Sequence, residues 1–191
     1  MIISDKKISE IRDGLLGNVR YFVKWILISL VIGIVGGSAG TLFAMGVEWA
    51  TQFRGANGWT LFFMPVAGVC IVWLYQTFHE EGNRGTNMVI ESISSNETVT
   101  PATGPLIFVS TILTHLVGGS TGREGAALEL GGSIGNVVGG LIRLDEKDKK
   151  VAVMCGMSAV FSALFGTPAA AGIFPLEVVS IGVMYYAALV P

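Results

Sequence analysis

Charge is scarce in this chain. Asp, Glu, Lys and Arg together make up 14% of its 191 residues, against about a quarter in soluble domains. That shortfall argues against an ordinary soluble domain, and a hydrophobic content of 51% argues against disorder. Cysteine is nearly absent. The two present, Cys70 and Cys155, lie inside apolar runs and are read as small core hydrophobes. Neither has metal-ligand spacing to another Cys or His, so no metal site and no cofactor is expected. An excess of either sign is also missing: a net charge of −2 offers nothing to a nucleic-acid partner.

The charges that exist are unevenly placed. None falls between Lys24 and Glu48, Arg54 and Glu80, Glu97 and Arg123, or Lys150 and Glu177. Each gap is as long as the roughly 20 apolar residues that cross a bilayer. With a mean hydropathy of +0.64, the sequence predicts an all-α, polytopic integral membrane protein. Five of the 12 basic residues lie in the first 24 positions, and Arg143, Lys147, Lys149 and Lys150 share one short segment. By the positive-inside rule, the N-terminus and the 143–150 loop face the cytoplasm. Residues 1–18 read as a cytoplasmic or interfacial amphipathic lead-in to a membrane domain over 19–191. The first apolar run is too long, and the stretch before it too acidic, for a cleavable signal peptide.

Helices are predicted at about Val19–Gln52, Thr60–Phe78, Pro101 or Pro105 to Val117, Glu124–Leu141, Val151–Phe165 and Pro168–Tyr186. A polar stretch, His79–Thr100, holds a short apolar piece around Met88–Ile93, read as an interfacial or re-entrant half-helix. Arg143–Lys150 reads as a loop. Glycine is the one abundant oddity, at 26 residues. Gly33/Gly37, Gly36/Gly40 and Gly131/Gly135/Gly139 recur at four-residue spacing, which lets helix backbones approach closely in a membrane.

The most informative segment is Gly118-Gly119-Ser120-Thr121-Gly122-Arg123-Glu124-Gly125. It is a polar break between two apolar helices, and irregular backbone at membrane depth is tolerated only where protein buries it or a watery cavity adjoins it. The break leaves the first N–H groups of the next helix without intrahelical partners, at the positive end of the helix dipole. Such an end is suited to an anion, and broken helices aimed at anionic substrates recur in transporters. Glu124 sits at this end. Its carboxylate can fill the anion site itself and, once protonated, vacate it, which makes one residue a gate coupling protons to anions. The alternative is a helix cap paired with Arg123.

Gly122-Arg123-Glu124-Gly125 resembles the Gly-Lys/Arg-Glu-Gly motif of the CLC family of chloride channels and anion–proton exchangers. Phe165–Glu177, with Pro168-Ala169-Ala170-Ala171-Gly172-Ile173-Phe174, resembles a later Pro-x-Ala-Gly-x-x-Phe-x-x-Glu segment of the same family. The resemblance implies the N-terminal half of the CLC inverted-repeat fold, C-terminally truncated at Pro191, and a homodimer with one pathway per subunit in the plasma membrane. It implies transport of a halide, chloride first, with Glu124 as the gating glutamate and Gly122, Arg123, Gly125 and Ala126 at the anion. The family's Gly-Ser-Gly-Ile-Pro segment corresponds to Gly82-Asn83-Arg84-Gly85-Thr86-Asn87, which lacks the serine and the proline. Gly85, Thr86 and Asn87 would then present backbone N–H groups to the anion. Fluoride–proton exchangers of the family also lack that serine, so a fluoride–proton antiporter is the alternative. Chloride–proton exchangers carry an internal Glu where this chain has Val178.

Glu129 lies five residues beyond Glu124, about 140° around the helix. It is therefore expected off Glu124's face and, being buried, hydrogen-bonded or protonated. Glu129 and Glu177 are secondary candidates; Glu177 is expected to cap or pack inside the protein. His115 reads as a core histidine, Thr111 and Thr114 as bonding within their helix, and Trp25, Trp49, Trp59 and Trp73 as interface anchors. An intramembrane serine hydrolase built on Ser120 and His115 lacks a nucleophile turn. A non-transporting assembly subunit is a further alternative, and no enzymatic activity is expected.

Overall fold

In the computed structural model, residues 5–83, 85–94 and 99–179 are described, and all their regular structure is helical. Helix α1, Asp5–Ala56, is 52 residues long, about 78 Å at 1.5 Å per residue. The lead-in from residue 5 is thus helical and continuous with the first apolar run. A 3₁₀ turn, Gly58–Phe63, leads into α2, Met64–Thr77, with Pro65 in its first turn. The helix expected from Thr60 therefore begins four residues later. The short apolar piece forms α3, Thr86–Ser94. Helix α4 covers Thr103–Leu116, and α5 covers Arg123–Leu141.

Helix α6, Glu146–Phe165, starts inside the segment expected to be a loop. The reason is a cap: the Asp145 carboxylate accepts from the Asp148 N–H at 2.7 Å, satisfying one of the first-turn donors. Gly166 ends α6 in the left-handed region, with φ +67°, and its N–H returns to the Ser162 carbonyl. Pro168 then opens α7, Pro168–Val179. The end expected for this last helix, with Tyr185 and Tyr186, lies outside the described residues.

Among the described residues, two stretches are long and apolar enough to cross a membrane, Val19–Ala56 and Gly58–Thr77. Their outer faces carry Leu27, Leu30, Ile34, Leu42 and Met45 on α1 and Val66, Val69, Val72 and Trp73 on α2, all exposed. A soluble monomer does not expose an apolar surface of this extent.

Small residues hold the interior together. A Cβ on Gly131 or Gly135 would run into the backbone of Gly156 or of Ala152 and Val153 on α6, and one on Gly156 would strike the Gly131 carbonyl. Gly36 and Gly40 of α1 likewise face Ala159, Val160 and Ala163. Gly33 and Gly37 face open space, so only one of the two spacings on α1 is a packing seam. Around these contacts lie two apolar clusters. One joins Trp25, Ile28 and Ile32 to Val89, Leu128 and Met157; the other joins Phe43 and Val47 to Ala126, Ala127, Leu130 and Val160.

Two readings of single residues are corrected. Trp25 is 1% exposed and belongs to the core, because its position on α1 faces the other helices; Trp49, Trp59 and Trp73 are exposed, as interface residues would be. Cys70 is exposed on the outer face of α2, and Cys155 is half-buried.

The ends of the bundle are defined by two contacts. Lys24 Nζ pairs with Asp148 Oδ2 at 2.6 Å, so the start of the apolar part of α1 and the start of α6 share one end. At the opposite end, a side chain on Gly118 would meet Leu61 and the Nε of Arg54 at 2.9 and 3.1 Å.

Candidate functional site

The break between α4 and α5 is a built turn. The Gly118 N–H bonds the His115 carbonyl and the Gly119 N–H bonds the Thr114 carbonyl, closing α4. Gly118 has φ +87°, a left-handed conformation that glycine adopts without strain. Gly122 is the N-cap of α5, extended at φ −66° and ψ 132°, and no side chain caps the helix. The N–H groups of the first turn are therefore left for another partner.

Glu124 is exposed. Its carboxylate folds back toward the helix start, where Oε2 lies 3.3 Å from the position of a Cβ on Gly122. Arg123 makes no ion pair with it among the described residues. Arg123 instead borders a cavity of about 390 Å³ with Ala44, Glu48, Thr51, Gln52 and Leu164. The side chain of Ala126 is buried in the Phe43 cluster, so only its backbone can address a ligand.

Helix α3 begins against this same turn of α5. A Cβ on Gly125 would come within 2.6 Å of Thr86 Oγ1. Glu129, one turn further along α5, is 5% exposed. Its Oε1 accepts from the Thr86 hydroxyl at 3.3 Å and lies 3.2 Å from where a Cβ on Gly85 would stand. Gly85 itself has φ +65°. Its N–H is taken by Asn83 Oδ1 at 2.7 Å, an Asx turn, so that N–H is not free for an anion as the sequence suggested. Asn87 is exposed.

The structure thus brings together Gly122–Gly125, Gly85, Thr86 and Glu129. It leaves Glu177 apart, exposed on α7 rather than packed inside. His115 Nδ1 bonds the Thr111 carbonyl at 2.8 Å, and the Thr114 hydroxyl donates to the Ser110 carbonyl at 2.7 Å, as expected for groups satisfied within α4.

Three groups near the site were missed by sequence reasoning. The Asn83 amide Nδ2 is buried without a hydrogen-bond partner among the described residues; the Asn-x-Gly spacing was the available signal. Glu80, 7% exposed, accepts from the Thr100 hydroxyl, which also contacts Thr103. The Tyr75 hydroxyl stands beside Ser110 and lies within electrostatic reach of both Glu129 and Glu80. Nothing in helical periodicity foretells these last two.

Comparison with known proteins places this geometry in context. The family model described as voltage gated chloride channel matches residues 67–191. A chloride/fluoride channel protein of Pseudomonas syringae pv. tomato is 36% identical over 181 residues, 94% of this chain and 40% of that protein. The H(+)/Cl(-) exchange transporter ClcA of Yersinia pestis is 25% identical over 167 residues, 80% of this chain and 35% of that one. The crystal structure of a CLC-type fluoride/proton antiporter superposes with a TM-score of 0.80 at 39% identity, covering 86% of this chain and 42% of the other. The chain spans about two fifths of the length of these relatives.

Proposed function

The chain belongs to the voltage gated chloride channel (CLC) family, and from that premise we propose that it serves halide transport across the membrane, with Glu124 as a proton-operated gate. It is an integral membrane protein whose helices form part of the CLC fold. The observation that carries the reading is the meeting of two helix starts, α5 at Gly122–Gly125 and α3 at Thr86, with the Glu124 carboxylate folded over the first of them. The dipole of each helix places partial positive charge there, and the uncapped N–H groups of α5 are the donors an anion takes. Arg123 and Gly125 contribute free backbone N–H groups from α5, with Ala126 beside them; Thr86 and Asn87 contribute N–H groups from α3. Deprotonated Glu124 competes for the α5 start, and its protonation releases that start to the halide.

Chloride and fluoride are both halides of this chemistry. Fluoride is favoured by the missing serine before Gly85 and by the likeness to a fluoride/proton antiporter. The Lys24–Asp148 end of the bundle, which gathers the basic residues, is assigned to the cytoplasm. The protein would work as a homodimer in the cell membrane, in contact with lipid. The test is flux from liposomes carrying the purified full-length protein, loaded in turn with fluoride and chloride under an imposed proton gradient. Release of either halide, accompanied by proton movement, is expected; release of neither overturns the reading.

A further inference from the structure

We propose that Glu129 is a second proton-carrying carboxylate of the transport pathway, one that holds the start of α3 in the absence of an anion. The inference rests on the transport reading above and extends it to a residue that reading does not use. Glu124 and Glu129 lie in series along α5, five residues and about 7.5 Å of rise apart. Each addresses a different helix start. Glu124 folds over Gly122 at the start of α5. Glu129 reaches across to the start of α3, with Oε1 at 3.3 Å from Thr86 Oγ1 and 3.2 Å from the Cβ position of Gly85.

A buried carboxylate at the positive end of a helix occupies the place an incoming anion would take. Two negative charges at one helix end, one of them buried, repel each other strongly. An anion can therefore settle at α3 only if Glu129 swings off or accepts a proton, and with 5% exposure it has little room to swing. The charge is balanced: the proton that neutralises Glu129 as the halide arrives is released, on the side opposite to the halide in an exchanger, when the carboxylate reclaims the helix start. The Asn83 Nδ2 in the turn before α3, buried and without a hydrogen-bond partner among the described residues, is a further donor in this turn.

Among the described residues, Glu129 is the carboxylate that touches the start of α3. Against the Glu129 stretch of α5, helix α6 presents Gly156, Met157 and Val153, none of them ionisable, and its Lys149 lies further along, against Gly139. Helix α4 presents Gly104, against Ser133. Helix α3 presents Thr86 and, against Gly132, Val89. From α2 comes Tyr75, beside Ser110, with Glu80 also within electrostatic reach of it. Arg84 stands within this turn in sequence, between Asn83 and Gly85, and lies outside the described residues. Glu80 is hydrogen-bonded to Thr100 at the start of α4, at the end of the bundle away from Arg54, so the Glu80–Tyr75 side marks the cytoplasmic approach for the proton.

The experiment measures halide and proton fluxes together from liposomes, with sodium fluoride and sodium chloride as probes, for the full-length wild type and Glu129→Gln. Glutamine still accepts from Thr86, so a merely structural role predicts no change. The expected result is continued halide flux with at least a tenfold fall in protons moved per halide. An unchanged ratio overturns the proposal, as does a wild type that moves halide without protons. A wild type that moves no halide overturns the transport reading itself. If Glu129→Gln does not fold, proton uptake on halide addition is measured in the Glu124→Gln variant in detergent. Persisting uptake supports Glu129 as the acceptor, and its absence overturns the proposal.

Discussion

The Thr86 hydroxyl of α3 stands 2.6 Å from the place where a side chain on Gly125 of α5 would begin. Two helix starts, 39 positions apart in the chain, are in contact only because one of them presents no side chain.

Gly125→Ala is therefore expected to push α3 away from α5 and to cut halide flux by about tenfold, equivalent to about 1.4 kcal/mol. Initial rates of halide release from liposomes check this, and Gly140→Ala is the control, since a Cβ there meets nothing within 4 Å.

The α5–α6 seam carries a second prediction. The backbones of Gly131 and Gly156 leave no space for a methyl group between them. Gly156→Ala is expected to destabilise the protein by about 1–3 kcal/mol, the usual cost of overpacking. Thermal unfolding in detergent measures it, and Gly33→Ala, on the open face of α1, should leave the transition within a degree or two.

A third prediction concerns the start of α6. Asp145→Ala removes the acceptor for the Asp148 N–H and is expected to cost about 1 kcal/mol. Asp145→Ser, which restores a capping oxygen, should recover most of that loss in the same unfolding assay.

The sequence made the helices legible because charge-free gaps and glycine breaks mark where apolar runs start and stop. The breaks at 118–122 and 166–168, the short α3 and the isolation of the α5 start are all found in the structure. The start of α6 was misplaced because charged residues over 146–150 were read as loop, although Asp145 ahead of Asp148 is a capping signal. Trp25 was misread because a tryptophan near the end of an apolar run suits both an interface and a core, and only the neighbouring helices decide. Helical geometry sets Glu129 off the face of Glu124, and in the structure Glu129 is buried where Glu124 is exposed. It could not reveal that α3 supplies Thr86 as a partner, since that depends on a contact between segments 43 residues apart.

The most direct test of the gate is the pH dependence of halide release for wild type and Glu124→Gln, measured with the full-length protein in liposomes. If the Glu124 carboxylate competes with the anion for the start of α5, protonation opens the site. Wild-type flux then rises as pH falls, while flux through Glu124→Gln, in which only the Glu129 proton remains, responds to pH less steeply across the same range. Identical pH profiles for the two proteins would contradict the account.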